Sequence, residues 1–453
     1  MLATMLAFPQ FIKSNDKGHL CVEGVECLAL AKEFGTPLFV ISENQLRSNI
    51  KRFRKAFEDR YPQRVVTCVG MKSNFGLALR RIVAQEGAGG DAFGRGELYA
   101  ALVAGTNPND IVMNGCNKDL PSLRAAIQAG IIINVDGIDE LDRIMLAAEL
   151  EKKQARITYR MRPALRTLDE KYLVDPRFPS GYSIGEYMRV KKFGLEPQQL
   201  FLAYEKALQC KGIDLVGLMF HGGPSRRFGY HREEVVGIFE LIKEMKERYG
   251  YEPQILNLGG GFVPDRVGRA PSEKIEDVAS AICGSIVEAV AKLNVKVPQL
   301  YLEPGRWCVE NAVIFLTEVG AIKKDIELTN KTWIYVNGNI NENGDPFCPL
   351  GKYHEFVLAR DANAAFSQTA DVCGQLCNSQ DILQKKKEMP EVQVGDILAM
   401  MDMGAYNESF AAQANAMPRS ASVMVNGEKC MEVRRRETIQ DVFARDIIPY
   451  WLY

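Results

Sequence analysis

The sequence predicts an α/β chain: an eight-stranded parallel (β/α)8 barrel joined to a C-terminal all-β domain that also takes the N-terminal segment. Three observations predict it. Eight short apolar runs, over 65–69, 90–92, 111–113, 131–135, 156–161, 214–220, 255–258 and 300–303, alternate with amphipathic helical patterns, the rhythm of parallel strands with helical crossovers. Beyond Arg306 the texture changes to short alternating runs at 313–317, 333–336, 355–358, 397–400, 421–425 and 430–434, some divided by turns such as Asn426-Gly427, as in antiparallel β structure. The length of 453 residues, 47% apolar and 25% charged, suits a globular chain with room for two domains. The expected boundaries are 1–42 for the N-terminal segment, 43–310 for the barrel and 311–453 for the β domain. Periodicity alone leaves an open doubly wound sheet as the alternative to the barrel.

In chain order, a short strand over 8–13, a turn at 15–18, a second run over 19–22 and a helix near 26–33 precede the apolar run Leu38-Phe39-Val40-Ile41. A helix over 44–58 leads into the first barrel strand, and further helices are expected at Leu77–Val83 and over 96–104, 120–129, 138–150, 197–209, 234–249 and 275–293. The helix after strand eight is the least marked. The stretch 166–192, rich in Asp, Pro, Gly and Tyr, is too long for a routine connection and reads as a loop over the barrel mouth. Lys385-Lys386-Lys387-Glu388 reads as a solvated turn.

A net charge of -1 carries no electrostatic footprint for nucleic acid or an anionic membrane, which points to a small-molecule partner. The eleven cysteines show no metal-ligand cadence, and their odd number argues for reduced thiols in a cytoplasmic protein. Residues 1–11 lack a basic region and a cleavage site, and no apolar run approaches the ~20 residues of a membrane span.

The chemistry gathers where strands end. Lys72 follows the buried-strand pattern 65–69, a costly place for an unpaired ammonium, so it needs a partner or serves as an amine that captures an aldehyde. Barrel enzymes keep their working groups on the loops after the strands. His221 stands after strand six, Gly259-Gly260-Gly261 after strand seven, and Glu303-Pro304-Gly305-Arg306 after strand eight. Three glycines let backbone N–H groups crowd round an anion, and an arginine fork completes a phosphate cradle. An amine, a phosphate cradle, an imidazole and a carboxylate round one barrel mouth suit pyridoxal phosphate, with Glu303 holding a proton on the ring nitrogen.

With these residues in place the sequence resembles the fold-type III pyridoxal-phosphate decarboxylases of diaminopimelate, ornithine and arginine, which share an alanine-racemase-like barrel. The resemblance runs from Gly35-Thr36-Pro37 through Lys72-Ser73-Asn74, Asp91, Gly96-Glu97-Leu98, Asn134-Val135-Asp136, Glu140-Leu141 and Lys192-Phe193-Gly194. It continues through His221, Asn257-Leu258-Gly259-Gly260-Gly261, Glu303-Pro304-Gly305-Arg306, Tyr353-His354, Cys373 to Asp381 and Gly404-Ala405-Tyr406. It implies that Lys72 binds the cofactor as a Schiff base, His221 stacks on its ring and Glu303 meets its nitrogen. Asp91 joins the cofactor site, and Gly259, Gly260, Gly261, Gly305, Arg306 and Tyr406 surround the phosphate. It further implies a homodimer with shared sites, in which Cys377 of the partner subunit protonates the substrate.

Pro224 replaces a usual serine after strand six, which removes one phosphate hydrogen bond unless Ser225 supplies it. Two further departures shape the substrate expectation: Asn378 replaces the acid that follows the catalytic cysteine and meets a distal ammonium, and Pro346 and Leu350 stand where diaminopimelate enzymes resemble one another in an arginine and a tyrosine for the distal carboxylate. Arg226 and Arg227, with Arg162 and Arg166, instead offer cations. The expectation is an atypical member that decarboxylates an amino acid or conjugate other than diaminopimelate, ornithine or lysine, with Asn378, Arg226, Arg227, Arg306 and Tyr406 at the substrate. An amino-acid racemase is the first alternative; Glu303 speaks against it, since racemases of this fold resemble one another in an arginine there. A catalytically silent regulatory relative is the second.

Overall fold

The computed structural model describes residues 6–162, 192–222, 228–325, 327, 329–344 and 354–453. The chain divides into two compact units, Arg47–Pro264 with Pro271–Cys308, and Met1–Leu46 with Asp265–Ala270 and Val309–Tyr453.

The first unit is a closed barrel of eight parallel strands: Val65–Gly70, Gly89–Ala92, Ile111–Met113, Ile132–Val135, Ala155–Met161, Ile213–Phe220, Ile255–Asn257 and Gln299–Leu302. The last strand closes on the first, Leu300 opposite Val65. Each predicted strand is present, because β-branched and aliphatic runs buried on both faces have few other places to go. Val66, Cys68, Val112, Ile132, Val216, Ile255 and Tyr301, drawn from six strands, pack as one buried cluster that fills the interior. After strand eight the chain forms only the short helix Arg306–Val309. Most of the expected loop over 166–192 lies outside the described residues.

The second unit is built on a mixed sheet. Leu38–Ser42 lies between Val313–Lys324, antiparallel, and Ala421–Asn426, parallel. Its alternation explains the unbroken apolar run. Leu38 and Val40 join a core with Leu20, Ile314, Leu316 and Val423, while Phe39 and Ile41 join another with Phe315, Val319 and Leu398. Each such side chain is worth about 1.5–3 kcal/mol on burial.

Two strands of this sheet, Gln368–Cys373 and Ile382–Met389, were not expected. The second contains Lys385-Lys386-Lys387-Glu388, so the solvated-turn reading is corrected. It pairs only with Gln368–Cys373 at the end of the sheet path, and lysines are what edge strands carry to discourage further pairing.

Three carboxylates buried in this unit are met by cations. Arg266 donates to both oxygens of the fully buried Glu310, at 2.8 and 3.0 Å. Arg360 does the same for Asp396, at 2.7 and 3.1 Å, and Lys331 reaches Asp371 at 2.6 Å. Asp402 differs: its Oδ2 accepts from the Val267 N–H at 2.9 Å, while its Oδ1 has no hydrogen-bond partner among the described residues. Burial, with Glu310 beside it, pushes the Asp402 carboxyl up to about 8.

Candidate active site

The carboxyl ends of the barrel strands carry the polar residues of an otherwise apolar interior. Strand one ends at Gly70, and the single 3-10 turn Met71–Ser73 puts Lys72 just past it. Buried Arg80 anchors that turn from below, donating to the Val69 carbonyl at 2.5 Å and touching the Met71 sulfur at 2.8 Å. Burial brings the Arg80 guanidinium down to about 10.

The partner that Lys72 requires is Asp91, at the end of strand two: Nζ to Oδ2 is 2.8 Å, with the aspartate fully buried and the lysine side chain 34% exposed. The amine therefore reaches the barrel mouth without losing its counter-charge. The Phe93 ring lies 5.1 Å from the same amine and meets Phe193 edge-on, and Arg160 stacks on Phe193 at 4.4 Å. The Lys192-Phe193-Gly194 motif is thus held at the mouth, with the Gly194 N–H donating to Asp136 at 3.1 Å.

Glu303, buried at the end of strand eight, accepts at Oε1 from Asn257 at 2.8 Å and from Asn114 at 3.0 Å. Its Oε2 has no hydrogen-bond partner among the described residues. Burial first, then the charge of Asp91, pushes its carboxyl up to about 7. Asn114 also donates to Asp91 Oδ1 at 2.6 Å and accepts from Asn134 at 2.8 Å, and Asn134 accepts from the Thr158 hydroxyl.

The glycine turn after strand seven follows from its neighbours. Gly259 has φ +65°, and a Cβ there would meet His221 Cδ2 and the Phe220 carbonyl, each at 2.9 Å. A Cβ on Gly260 would stand 2.5 Å from the Glu303 carbonyl oxygen. Only glycine fits, and half-buried His221 packs directly against the turn. Gly305 opens the short helix that begins at Arg306, its carbonyl accepting from the Cys308 N–H.

The barrel thus brings Lys72, Asp91, His221, Gly259, Gly260 and Glu303 to the carboxyl ends of its strands. Cys377, Asn378 and Tyr406 belong to the second unit. There Cys377 and Asn378 are exposed on a tight turn, the Cys377 N–H donating to Asn415 Oδ1 at 2.9 Å and Asn378 Oδ1 accepting from the Gln380 N–H at 2.9 Å. Tyr406 is buried with φ +64°. Arg166, Pro224, Ser225, Arg226, Arg227, Pro346 and Leu350 lie outside the described residues, and Arg162 is paired with Glu196 at 3.1 Å.

Sequence reasoning missed Asn114, Thr158 and Lys118, and assigned no task to Asn134 or Asn257. Lys118 is fully buried and donates to Glu140 and to the Gly115 and Asn134 carbonyls, tying together the loops after strands three and four. A lone polar residue ending an apolar run, as in Ile111-Val112-Met113-Asn114, is the signal that marks such positions.

Residues 43–310 match the family model for the pyridoxal binding domain of pyridoxal-dependent decarboxylases. The chain belongs to that family. A diaminopimelate decarboxylase of Archaeoglobus fulgidus is 33% identical over 444 residues, 97% of this chain and 99% of the relative. Its counterpart from Methanothermobacter thermautotrophicus is 32% identical over 98% of each chain. Among solved structures, diaminopimelate decarboxylase of M. jannaschii in co-complex with L-lysine superposes with a TM-score of 0.86 at 29% identity, covering 98% of this chain and 99% of that one.

These relatives overturn the expectation of an atypical enzyme for which diaminopimelate is not the substrate. That expectation assumed an ammonium buried against Asn378. It weighed that one position above the likeness of the whole chain, although an asparagine amide both donates and accepts and can still meet a polar substrate end. Among the described residues, no helix is long and apolar enough to cross a membrane.

Proposed function

We propose that the chain decarboxylates diaminopimelate, releasing carbon dioxide and lysine, with pyridoxal phosphate as its cofactor. The observation that carries this reading is the amine of Lys72 held on Asp91 within the same buried network as Glu303, in a chain alike over its whole length to diaminopimelate decarboxylases.

The residues present suit the cofactor. The buried, unpartnered Oε2 of Glu303 is an acceptor for a ring N–H, and the Gly259–Gly260 turn leaves no room for side chains, which lets an anion approach the backbone closely. Lys72 would hold the cofactor as a Schiff base, His221 would lie on its ring, and Gly259, Gly260, Gly261, Gly305, Arg306 and Tyr406 would surround its phosphate. When bound, the cofactor supplies the electron sink for the pair left on the α-carbon as carbon dioxide departs. Asp91 keeps the Lys72 amine oriented, and Asn257 and Asn114 fix the plane of the Glu303 carboxylate. Cys377 of the partner subunit delivers a proton to the α-carbon, in a homodimer working in the cytoplasm. Asn378 offers the distal end of the substrate an amide that both donates and accepts.

Incubation of the holoenzyme with diaminopimelate, following carbon dioxide and lysine, tests the reading; no lysine formed would overturn it. Cys377→Ala is expected to retain cofactor and lose turnover. Mixing Cys377→Ala with Lys72→Ala subunits should restore activity if sites are shared, and a proven mixed dimer without activity would remove the shared site.

A further inference from the structure

We propose that Asn114 is a positioning residue that sets how the two buried carboxylates of the site, Asp91 and Glu303, share charge. The inference rests on the reading above only for what Glu303 faces. One amide nitrogen, Nδ2, donates to Asp91 Oδ1 at 2.6 Å and to Glu303 Oε1 at 3.0 Å. Both hydrogens of the amide are committed, one to each acid. The opposite orientation would set the amide oxygen against two carboxylates, so the polarity of the group is dictated by its neighbours. It is also enforced from behind: Oδ1 accepts from Asn134 Nδ2 at 2.8 Å, and Asn134 Oδ1 in turn accepts from the Thr158 hydroxyl. Hydroxyl, amide and amide thus point their donors one way across strands five, four and three, ending on the two acids, and Asn114, Asn134, Thr158 and Asp91 are all essentially solvent-free.

Such a chain polarises along its length and favours the ionised form of the acids at its end. Its effect falls mainly on Glu303. Asp91 has the Lys72 ammonium on its other oxygen, whereas Glu303 has only the amides of Asn257 and Asn114. The other ionisable groups facing this pair are Cys68 on strand one, Arg80 beneath the Lys72 turn, Glu97 after strand two and His221 beyond the glycine turn. None of them makes a hydrogen bond to Glu303 in this structure; the asparagines do.

The test reads protonation directly. In the apoenzyme the carboxyl C=O stretch of Glu303, isolated by subtracting the infrared spectrum of Glu303→Gln, is titrated against pH. In Asn114→Ala the midpoint should rise by about one unit, since an anion has lost a donor. In the holoenzyme kcat should fall about tenfold or more, with KM little changed and the acid limb of the pH profile displaced upward. Thr158→Val, which cuts the chain at its far end, should give a smaller shift of the same sign and covers the case of an unfolded Asn114→Ala. An unchanged midpoint in folded Asn114→Ala or Thr158→Val, or a loss of kcat with an unmoved pH limb, overturns the proposal. A wild-type enzyme that titrates as expected but releases no lysine from diaminopimelate would remove the substrate reading and leave the charge-sharing role standing on the infrared result.

Discussion

Glu303 of the barrel and three ion-paired acids of the β unit are buried in different company. In the β unit Glu310, Asp396 and Asp371 each face a guanidinium or ammonium, and a charge so matched has little reason to change its protonation state. In the barrel Glu303 faces two neutral amides and keeps one oxygen without a hydrogen-bond partner among the described residues. Amides satisfy a carboxylate without cancelling it, so its proton affinity stays within reach of neutral pH, at about 7. The contrast separates the ion-paired acids of the β unit from Glu303; burial also lifts Glu342 of the β unit to about 7, where the Ser420 hydroxyl donates to it at 2.9 Å.

The contrast is broken most severely at Lys72, whose ammonium pairs with Asp91 of the barrel site. Lys72→Ala should reduce carbon dioxide release to background and abolish the visible band of bound cofactor; a variant that keeps both would end the assignment. Glu303→Gln keeps the shape and removes the charge, and kcat should fall by about 10²–10⁴-fold while the fold persists. Kinetics on the loaded variant, with circular dichroism for the fold, would check it.

In the β unit the expected damage is to stability. Arg266→Ala leaves Glu310 charged and buried, at about 3–5 kcal/mol, read as a lowered denaturation midpoint. Adding Glu310→Leu should recover part of that loss, and no recovery would mean that the pair is not the cause. The smallest effect sharpens the comparison at Asp402, a buried acid of that unit that accepts from a backbone N–H. Its folded value of about 8 lies above its ordinary 3.8, so the folded state holds the proton more tightly than the unfolded one. Its stabilising contribution is complete below about pH 4 and is lost as pH rises to 8. Asp402→Asn should therefore melt several degrees above wild type at pH 8, with the gap closing towards pH 4.

The barrel was legible because each strand is a short apolar run between amphipathic helices, and the positions of Lys72, His221, Gly259 and Glu303 followed from reading strand ends as working surfaces. Asn114 and Thr158 were not legible in the same way. Their importance lies in whom they face across neighbouring strands, and a single sequence shows no register. The strand Ile382–Met389 was hidden by its own lysines, since an edge strand and a solvated turn share that composition. The substrate misled for a further reason. Asn378 was given the weight of a specificity residue on residue type alone, and one neutral amide does not outweigh likeness along 97% of the chain.

The position of Leu38–Ser42 in the β unit has a consequence for how the protein is made. One of this strand's two sheet neighbours, Ala421–Asn426, is synthesised about 380 residues after it. At ordinary elongation rates the wait is roughly 20–80 s. Throughout that interval Leu-Phe-Val-Ile, destined for burial on both faces, has no completed sheet to enter, whereas all eight strands of the barrel are translated before Ala421–Asn426. Nascent chains of this protein therefore carry a sticky, incompletely paired segment ahead of the barrel, and a chaperone that binds short apolar stretches has its natural target there until Ala421–Asn426 emerges.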